Sequence, residues 1–383
     1  MLSIDTGYTT RVLQDLVRIN SVNPVLDPSA PGEREISEYV GRAMAALGAE
    51  VLYHEPKPGR LSVVARLRGS RAGRSLMLNA HADTVDAGGM DAPFSGDVRD
   101  GRLYGRGAFD MKGGLAAMMG AVKALADAGC PHGGEILLAA VADEEYASLG
   151  TEDLVTRYRP DAAIVTEPTA LDICLAHKGF AWFEVTTRGR AAHGSRFDLG
   201  VDANMRMGRV LAGLDALEED LRARTPHRLV GPPSLHAATI AGGSGLSTYA
   251  ASCRLQIERR TIPGESRAAV TDEIRQLLLR QVERDLSFQA DFEVLLVREP
   301  FEVAEGAAIV RALTDASTSV LGRRPSYVGQ TPWMDAALLA AAGAETVVMG
   351  AAGAGAHAKE EWVDLASVHQ LARCLAETAV RYC

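Results

Sequence analysis

The sequence predicts an α/β fold with a mostly parallel sheet, interrupted by an inserted ferredoxin-like domain. Two observations predict it. Before residue 170, apolar runs of strand length alternate with segments of helical periodicity, an order typical of a parallel sheet covered by helices. From residue 178 to about 297 the order becomes β-α-β-β-α-β, which is the split βαβ arrangement of a ferredoxin-like layer.

Each element follows from the spacing of its apolar residues. Val12, Leu13, Leu16 and Val17 recur at helical spacing, whereas residues 62–67 form an extended apolar run. The pattern predicts helices at 8–19, 35–47, 112–128, 203–221, 267–283 and 307–320, and strands at 62–67, 75–79, 135–142, 162–166, 180–187, 236–241, 253–257, 292–297 and 346–349. We therefore assign residues 1–177 and 298–383 to one discontinuous domain, and residues 178–297 to the insert.

Composition excludes several classes of protein. A chain of 383 residues with 47% hydrophobic and 23% charged residues is typical of a globular protein of two or three domains. The net charge of -9, without a dense Lys/Arg stripe, argues against nucleic acid and membrane surfaces as partners. Five scattered cysteines indicate neither a disulfide framework nor a thiolate zinc site. Because no signal-peptide pattern or long apolar run occurs, we expect a cytoplasmic location.

Acidic and histidine residues follow the predicted strands at the point where each strand ends. His81 and Asp83 follow residues 75–79, the triplet Asp143-Glu144-Glu145 follows residues 135–142, and Glu167 follows residues 162–166. Since functional sites assemble at the carboxyl edge of open α/β sheets, these side chains are expected to converge. Two further residues, in loops, can join them: Asp110 and His357.

This mixture of imidazole and carboxylate, without thiolate, suits zinc, cobalt or manganese. The five candidate ligands, which suffice for two metals if one carboxylate bridges them, are His81, Asp110, Glu145, Glu167 and His357. Asp83 lies two residues after His81 on an extended backbone, so we expect its carboxylate to accept a hydrogen bond from the second ring nitrogen. Glu144 faces away from Glu145 and is free to take a proton from metal-bound water.

Six blocks of the sequence carry a family resemblance. They are HADTVDAGGMDAPFSGDVRDGRLYGRGAFDMKGG (81–114), DEEYASLGT (143–151), TEPT (166–169), GRAAHGS (189–195), ERRTIPGE (258–265) and AHAKEEWVDL (356–365). In this order they resemble the di-zinc deacylase and exopeptidase family, which includes acetylornithine deacetylase, succinyl-diaminopimelate desuccinylase, aminoacylase and carboxypeptidase G. The resemblance implies a zinc-binding catalytic domain interrupted by a lid that dimerises.

The resemblance also implies a role for each matching residue. It makes His81 and Glu167 ligands of one zinc, Glu145 and His357 ligands of the other, Asp110 the bridge and Glu144 the general base. His193 matches the lid histidine that reaches across the dimer to polarise the scissile carbonyl. Arg260 matches the arginine that receives the substrate carboxylate, a task that suits a planar bidentate fork. In relatives the peptide bond after Asp110 is cis.

The implied activity is that of a metal-dependent amidohydrolase that cleaves the amide bond of an N-acyl amino acid, as acetylornithine deacetylase does. The expected cofactors are two Zn²⁺ per subunit, with Co²⁺ or Mn²⁺ as substitutes, and the expected nucleophile is a hydroxide that bridges the metals. Partners would be a small N-acyl amino acid or dipeptide and a second copy of the chain, bound through the lid. A metallo-dipeptidase or carboxypeptidase of the same family remains an alternative. A non-catalytic binding protein on this fold is a weaker one, because no ligand or base is lost.

Two departures from the family pattern concern the substrate. Ser247 and Ala250 stand where many relatives carry Asn and Pro, so Ser247 is a candidate substrate contact. Trp333 stands in Pro332-Trp333-Met334-Asp335, where desuccinylases carry a Gly-Thr-Ser-Asp turn. We therefore expect Trp333 to narrow the pocket toward a short acyl group or a less polar amine, and succinyl-diaminopimelate to be disfavoured.

Overall fold

A computed structural model describes residues 2–383, which form two compact units. The first unit runs to Leu175 and resumes over Val303–Val328 and Met334–Cys383. The second comprises Ala176–Glu302 and Gly329–Trp333. The boundaries that the sequence suggests, 178 and 297, lie a few residues inside the second unit. The segment Gly329–Trp333, which the sequence pattern places in the discontinuous domain, groups with the insert instead.

The elements below are named in chain order. The strands are β1 Glu50–His54, β2 Ser62–Arg68, β3 Arg71–His81, β4 Asp97–Arg99, β5 Arg102–Tyr104, β6 Gly133–Val141, β7 Ala162–Val165, β8 Ile173–His177, β9 Gly179–Arg188, β10 Ser234–Gly242, β11 Ser252–Thr261, β12 Ala290–Arg298, β13 Phe301–Glu302, β14 Tyr327–Gln330, β15 Glu345–Val348, β16 Gly353–Ala354 and β17 Trp362–Asp364. The helices are α1 Thr6–Arg18, α2 Arg34–Ala45, α3 Gly113–Asp127, α4 Leu149–Arg157, α5 Ala203–Ala223, α6 Arg267–Arg284, α7 Ala308–Leu321, α8 Ala336–Ala341 and α9 Leu365–Tyr382. A kinked segment, Ala108–Lys112, precedes α3.

The sheet of the first unit confirms the predicted α/β class. Its strands follow the order β1-β2-β6-β3-β7-β15-β8, and the central strands β6, β3, β7 and β15 run parallel to one another. Antiparallel strands flank this parallel centre on both sides. Strands β6 and β7 are buried over nearly their whole length, and β3 is buried over its carboxyl-terminal half, because helices cover a parallel sheet; this explains their continuous apolar runs.

Two helices illustrate how sequence pattern becomes packing. In α1 the residues at helical spacing, Val12, Leu13, Leu16 and Val17, are all buried, and the helix begins after Asp5, whose carboxylate accepts a hydrogen bond from a backbone amide. Helix α3 is apolar on nearly every side and is buried along most of its length, where it packs against α1 and α9.

Strand alignment in the parallel centre determines where the site residues lie. His81 pairs in register with Val141, the last residue of β6, and Asn79 pairs with Val165, the last residue of β7. The three strands therefore end side by side. The side chains that follow them emerge at one edge of the sheet, as predicted for the carboxyl ends of parallel strands.

The second unit confirms the ferredoxin-like insert. Its elements follow the order β9-α5-β10-β11-α6-β12, and its sheet has the antiparallel order β10-β11-β9-β12. Alternate residues of the strands, among them Phe183, Leu255 and Ile257, form a core with Leu214 and Leu277 from the two helices. One face of the sheet is thereby buried, and β10 forms one of its two edges.

Two further features are the state of the cysteines and the hydropathy of the helices. All five cysteines are free thiols, and Cys174, Cys253 and Cys374 are buried. Within residues 2–383, none of the helices combines the length and hydropathy that are needed to cross a bilayer.

Candidate metal centre

Six titratable side chains gather at the carboxyl edge of the parallel strands. His81 ends β3, Glu144 and Glu145 follow β6, and Glu167 follows β7. Asp110 belongs to the kinked segment Ala108–Lys112, and His357 to the loop between β16 and β17. Two groups of three have potential ligand atoms within 4.8 Å of one another, namely His81, Glu144 and Glu167, and His81, Asp110 and Glu145.

Asp110 lies between the two histidines. Its Oδ1 is 3.2 Å from His81 Nε2, and its Oδ2 is 3.4 Å from His357 Nε2. Glu167 Oε1 lies 3.5 Å from His81 Nε2, and Glu145 Oε2 lies 3.2 Å from His357 Nε2. Each histidine therefore has its own glutamate, and the two halves share one carboxylate through its two separate oxygens.

The electrostatics of this cluster fit a pair of cations. Burial raises the pKa of Glu167 well above its usual range, and the neighbouring Asp110 adds to this increase. Burial also raises the pKa of Glu145, whose Oε1 is buried and has no hydrogen-bond partner among the described residues. Buried carboxylates are costly unless a counter-charge or a ligand satisfies them. Imidazole nitrogen and carboxylate oxygen are the donors that zinc, cobalt and manganese accept, so these residues fit a dinuclear metal site.

The structure corrects the expected role of the Asp83 carboxylate. His81 Nδ1 lies 2.9 Å from the backbone oxygen of Asp83 but 3.8 Å from its carboxylate, so the prediction of a carboxylate contact is wrong. A carbonyl can only accept, so Nδ1 carries the proton and Nε2 is free to face Asp110. The carboxylate instead accepts hydrogen bonds from the backbone amides of Glu144, at 3.1 Å, and of Glu145, at 3.2 Å. It thereby fixes the loop that carries both glutamates.

A buried ionic network, which the sequence did not predict, lies next to this loop. Arg60 Nη1 lies 2.8 Å from Asp143 Oδ1, and Arg60 Nε donates to Glu33 Oε2 at 2.9 Å. Asn23 donates to Asp143 at 3.1 Å and to Asp83 at 2.8 Å. Asp143 has a positive φ of 73°, a conformation that such side-chain contacts can hold in place. Glu33 and Arg60 precede the motif blocks by many residues, so no local spacing indicates their contact.

A second unpredicted carboxylate, Asp335, lies at the other end of the same loop. Its Oδ2 accepts a hydrogen bond from Thr151 Oγ1, in α4, at 2.5 Å. Burial raises the pKa of Asp335 to about 6, against the lowering effect of that hydrogen bond. Its charge also raises the pKa values of Glu144 and Glu167, after the larger effects of burial and nearer charges. In the sequence, Asp335 stands out only as the last residue of the segment that begins at Pro332.

The peptide bond between Asp110 and Met111 is cis, as the family resemblance implies.

Four predicted site residues belong to the second unit, where they form two groups. In the first group, His193 is exposed and its Nδ1 lies 2.8 Å from Ser195 Oγ. The backbone oxygen of Ser247 accepts a hydrogen bond from the Gly194 amide at 2.7 Å, and Thr248 forms an isolated bridge with His193. The loops that carry His193 and Ser247 therefore lie against each other.

The second group combines an arginine with aromatic rings. The Arg260 guanidinium stands 5.5 Å from the centre of the Phe180 ring, and Nη2 lies 3.0 Å from Glu258 Oε1. The Phe180 ring meets Trp333 edge to face, with 6.1 Å between centroids. Trp333 Nε1 donates to the backbone oxygen of Glu299 at 3.1 Å. These contacts explain why the short segment that ends at Trp333 groups with the second unit.

Comparison with known proteins agrees with the class of protein that this fold and site define, a metal-dependent hydrolase. The family model of peptidase family M20/M25/M40 matches residues 77–381, which is well over half of the chain. The chain belongs to this family. The resemblance drawn from the six sequence blocks is thereby confirmed.

Curated relatives agree with this family, and solved structures agree with the fold. The chain is 31% identical to an acetylornithine deacetylase of Myxococcus xanthus over 335 residues, covering 85% of this chain and 84% of the relative. It is 29% identical to an N-formyl-4-amino-5-aminomethyl-2-methylpyrimidine deformylase of Bacillus subtilis over 279 residues. This match covers 68% of this chain and 65% of the relative. An aminopeptidase of Bacillus cereus superposes with a TM-score of 0.81 at 20% identity over 99% of both chains. An M20 family metallo-carboxypeptidase of Sulfolobus solfataricus superposes with a TM-score of 0.79 at 18% sequence identity, also over 99% of both chains. These structural likenesses concern the fold.

The Arg60 network yields a prediction on stability. Substitution Arg60→Met leaves Glu33 and Asp143 buried without their counter-charge, so we expect a loss of about 3–5 kcal/mol in the free energy of unfolding. Urea denaturation followed by circular dichroism measures it. Arg68→Met removes a side chain that is 73% exposed and serves as the control, with an expected change within about 0.5 kcal/mol. Equal effects of the two substitutions would contradict the assignment.

Proposed function

We propose that this protein is a dinuclear amidohydrolase that cleaves the amide bond of an N-acyl amino acid, as an acetylornithine deacetylase does. The observation that carries the proposal is the position of Asp110, whose two oxygens face two different histidines. The similarity to an acetylornithine deacetylase over most of both chains supports the substrate class. Two Zn²⁺ ions are the proposed cofactors, with Co²⁺ or Mn²⁺ able to substitute.

The ligand assignment follows the two halves of the cluster. We assign His81 and Glu167 to one ion, Glu145 and His357 to the other, and Asp110 to both. Bound metal would supply Lewis acidity toward the scissile carbonyl and a lowered pKa for the attacking water. The Asp83 carboxylate would keep Glu144 and Glu145 in their different orientations through their backbone amides.

Glu144 is our general base. Its Oε2 lies 4.0 Å from His81 Nε2, farther than the nearest oxygens of Asp110 and Glu167, which leaves it free for proton transfer. Burial raises its pKa well above the usual range, and nearby carboxylates contribute. A raised pKa suits a group that first takes a proton from water and then returns it to the leaving amine.

We assign the recognition of the substrate to the second unit, which would act as a lid. Arg260 would bind the substrate carboxylate through its planar fork, since its side chain is one-third exposed and is held from behind by Phe180 and Glu258. His193 would polarise the scissile carbonyl, and Ser247, on the adjoining loop, would contact the substrate.

Trp333 supports a second candidate function, deformylation of an N-formyl aminomethylpyrimidine. The similarity to a deformylase with that substrate is nearly as high as the similarity to the deacetylase. Trp333 and Phe180 form an edge-to-face pair, and Arg298 lies 5.6 Å from the centre of the Trp333 ring. Such rings would stack on a flat heteroaromatic amine better than on the flexible chain of ornithine.

A substrate panel tests both candidates. N-acetyl, N-succinyl and N-formyl amino acids, several dipeptides and an N-formyl aminomethylpyrimidine are incubated with zinc- or cobalt-loaded protein and with an EDTA-treated control. We expect metal-dependent release of the amine from an N-acetyl amino acid, with N-succinyl substrates poor. In Trp333→Gly, the ratio of kcat/KM between the best amino-acid substrate and the pyrimidine should change by about tenfold or more.

Each outcome of the panel has a meaning. Preferred cleavage of dipeptides would replace the deacylase proposal with the peptidase alternative, and preferred cleavage of the pyrimidine would favour the second candidate. Two bound metals without any cleavage would favour a binding protein on this fold. An unchanged substrate ranking in Trp333→Gly would remove Trp333 from substrate recognition.

The assignment of Glu144 yields a separate prediction. Glu144→Ala should keep the affinity for both metal ions but lose about 10²–10⁴-fold in kcat, because proton transfer is lost while the ligands remain. Metal content is measured by atomic emission and turnover on the best panel substrate. Glu35→Ala, an exposed position on α2, is the control for removal of one carboxylate. Wild-type turnover in Glu144→Ala would refute the assignment.

We further propose that the lid forms a homodimer through the edge strand β10. Nearly all of β10 is exposed, and Ile240 retains 55% of its surface. Leu246 in the following loop, Phe197 and Met205 are also strongly exposed. An open edge strand beside exposed apolar side chains is suited to pair with a second copy about a twofold axis.

Light scattering coupled to gel filtration tests the dimer. The wild type should have a molar mass of twice the 40.6 kDa of the chain. Ile240→Lys should be a monomer because it places a charge on the shared edge strand. If His193 acts on the partner's substrate, the monomeric variant also loses turnover while its metals remain bound. Leu286→Lys, at a 90% exposed leucine just before the opposite edge strand, is the control and should stay dimeric. A monomeric wild type would contradict the proposal.

A further inference from the structure

One buried carboxylate near the metal centre is neither a ligand nor a base. Glu361 is 1% exposed and accepts four hydrogen bonds. Its Oε2 accepts from Arg106 Nη1 at 2.7 Å and from the Gly107 amide at 3.0 Å. Its Oε1 accepts from the amides of Phe109 and Asp110, both at 3.0 Å. Both oxygens are therefore used entirely by the segment that leads into Asp110.

This segment needs an external acceptor because of its conformation. Asp110, with φ -117° and ψ 95°, lies outside the helical region, so the chain is kinked at this point. Amides at such a position must find partners outside the regular backbone ladder. A single carboxylate supplies them for three of the four residues from Gly107 to Asp110. Its position thus determines where the Asp110 side chain leaves the backbone.

Arg106 extends the same contact to the second histidine. It is 3% exposed, its Nη2 donates to the backbone oxygen of Ala358 at 3.1 Å, and its Nε donates to that of Asp86 at 2.9 Å. Ala358 directly follows His357. The ion pair of Glu361 with Arg106 therefore joins the segment that carries Asp110 to the loop that carries His357. It also neutralises a carboxylate that would otherwise add to the negative charge of the cluster.

We propose that Glu361, together with Arg106, is a positioning pair that holds Asp110 and His357 at the separation at which they share a metal ion. The inference rests on the proposed dinuclear site. Neither side chain binds an ion itself, and their effect is transmitted through the backbone amides before Asp110 and the carbonyl after His357. Loss of the pair therefore weakens metal binding without removing a ligand.

Substitution Glu361→Gln is a sharp test because it preserves size. The new amide group presents a donor where an oxygen accepted, so it faces either Arg106 and the Gly107 amide or the amides of Phe109 and Asp110. One pair of hydrogen bonds is lost in either orientation. We expect the affinity for at least one ion to fall by about 10–100-fold, as is typical for partners that orient ligands.

The experiment uses the full-length metal-free protein and Co²⁺ alone. Calorimetry gives the affinity and stoichiometry, and the visible absorption of bound Co²⁺ reports the geometry of its ligands. Glu360→Gln is the matched control, since it removes a carboxylate from the adjacent, exposed position of the same loop. Arg106→Lys is the second variant, because it keeps the charge but loses the fork that reaches Glu361 and Ala358 together. Thermal unfolding of each metal-free variant verifies the fold.

In Glu361→Gln and Arg106→Lys we expect weaker binding of at least one Co²⁺ ion and an altered Co²⁺ absorption spectrum. In Glu360→Gln we expect the affinity and the spectrum of the wild type. Wild-type affinity and spectrum in folded Glu361→Gln would overturn the positioning role while leaving the proposed function intact. If Glu361→Gln does not fold, Arg106→Lys decides, and its unchanged Co²⁺ binding overturns the role. A wild type that binds no Co²⁺ would overturn both proposals.

Discussion

Two pairs of carboxylates, Glu144 with Glu167 and Asp110 with Glu145, lie beside His81 at the sheet edge of the first unit, with the potential ligand atoms of each pair within 4.8 Å. Like charges repel, and burial removes the water that would screen them. This constraint explains why two histidines are placed among them and why Asp110 separates the two histidines. It also explains the raised pKa values of Glu144 and Glu167, and the unsatisfied oxygen of Glu145. A pair of divalent cations would resolve all of these features at once.

Three other acidic side chains around the cluster have hydrogen-bond or ion-pair partners of a different kind. Asp83 accepts hydrogen bonds from backbone amides, and Asp143 forms an ion pair with Arg60. Glu361 accepts hydrogen bonds from three backbone amides and from Arg106. Each of these carboxylates is satisfied by donors, so none competes for a cation, and each fixes the backbone next to a proposed ligand or base. The proposed ligands instead face the two histidines, and one buried oxygen of Glu145 has no hydrogen-bond partner among the described residues. Contact with backbone amides or arginine therefore distinguishes these three supporting carboxylates from the proposed ligands.

The second unit contributes a different chemistry. Arg260 is held against Phe180, and Trp333 adds a second ring to the same cluster. A cation beside aromatic faces can recognise a carboxylate and a flat or apolar group together. The proposed metal ligands and the proposed recognition residues lie on separate units, so the same hydrolytic chemistry could serve relatives with different substrates. The two similar enzymes, an acetylornithine deacetylase and a deformylase of an N-formylated pyrimidine, differ by name in both the acyl group and the amine.

The sequence by itself determined the order of the elements, the ferredoxin-like insert and the convergence of His81, Glu144 and Glu167. Apolar periodicity is local, and the carboxyl ends of parallel strands must share one edge. Asp110 and His357 follow no predicted strand, so the sequence offered them only as loop residues that can join the site, and the family resemblance supplied their roles. Only the tertiary structure decided that His81 contacts the backbone of Asp83 instead of its carboxylate, and that Arg60, Asp335 and Glu361 support the loops. These contacts join residues far apart in the chain, so no periodicity or spacing records them. Trp333 groups with the insert for the same reason, since its partners lie before it in sequence.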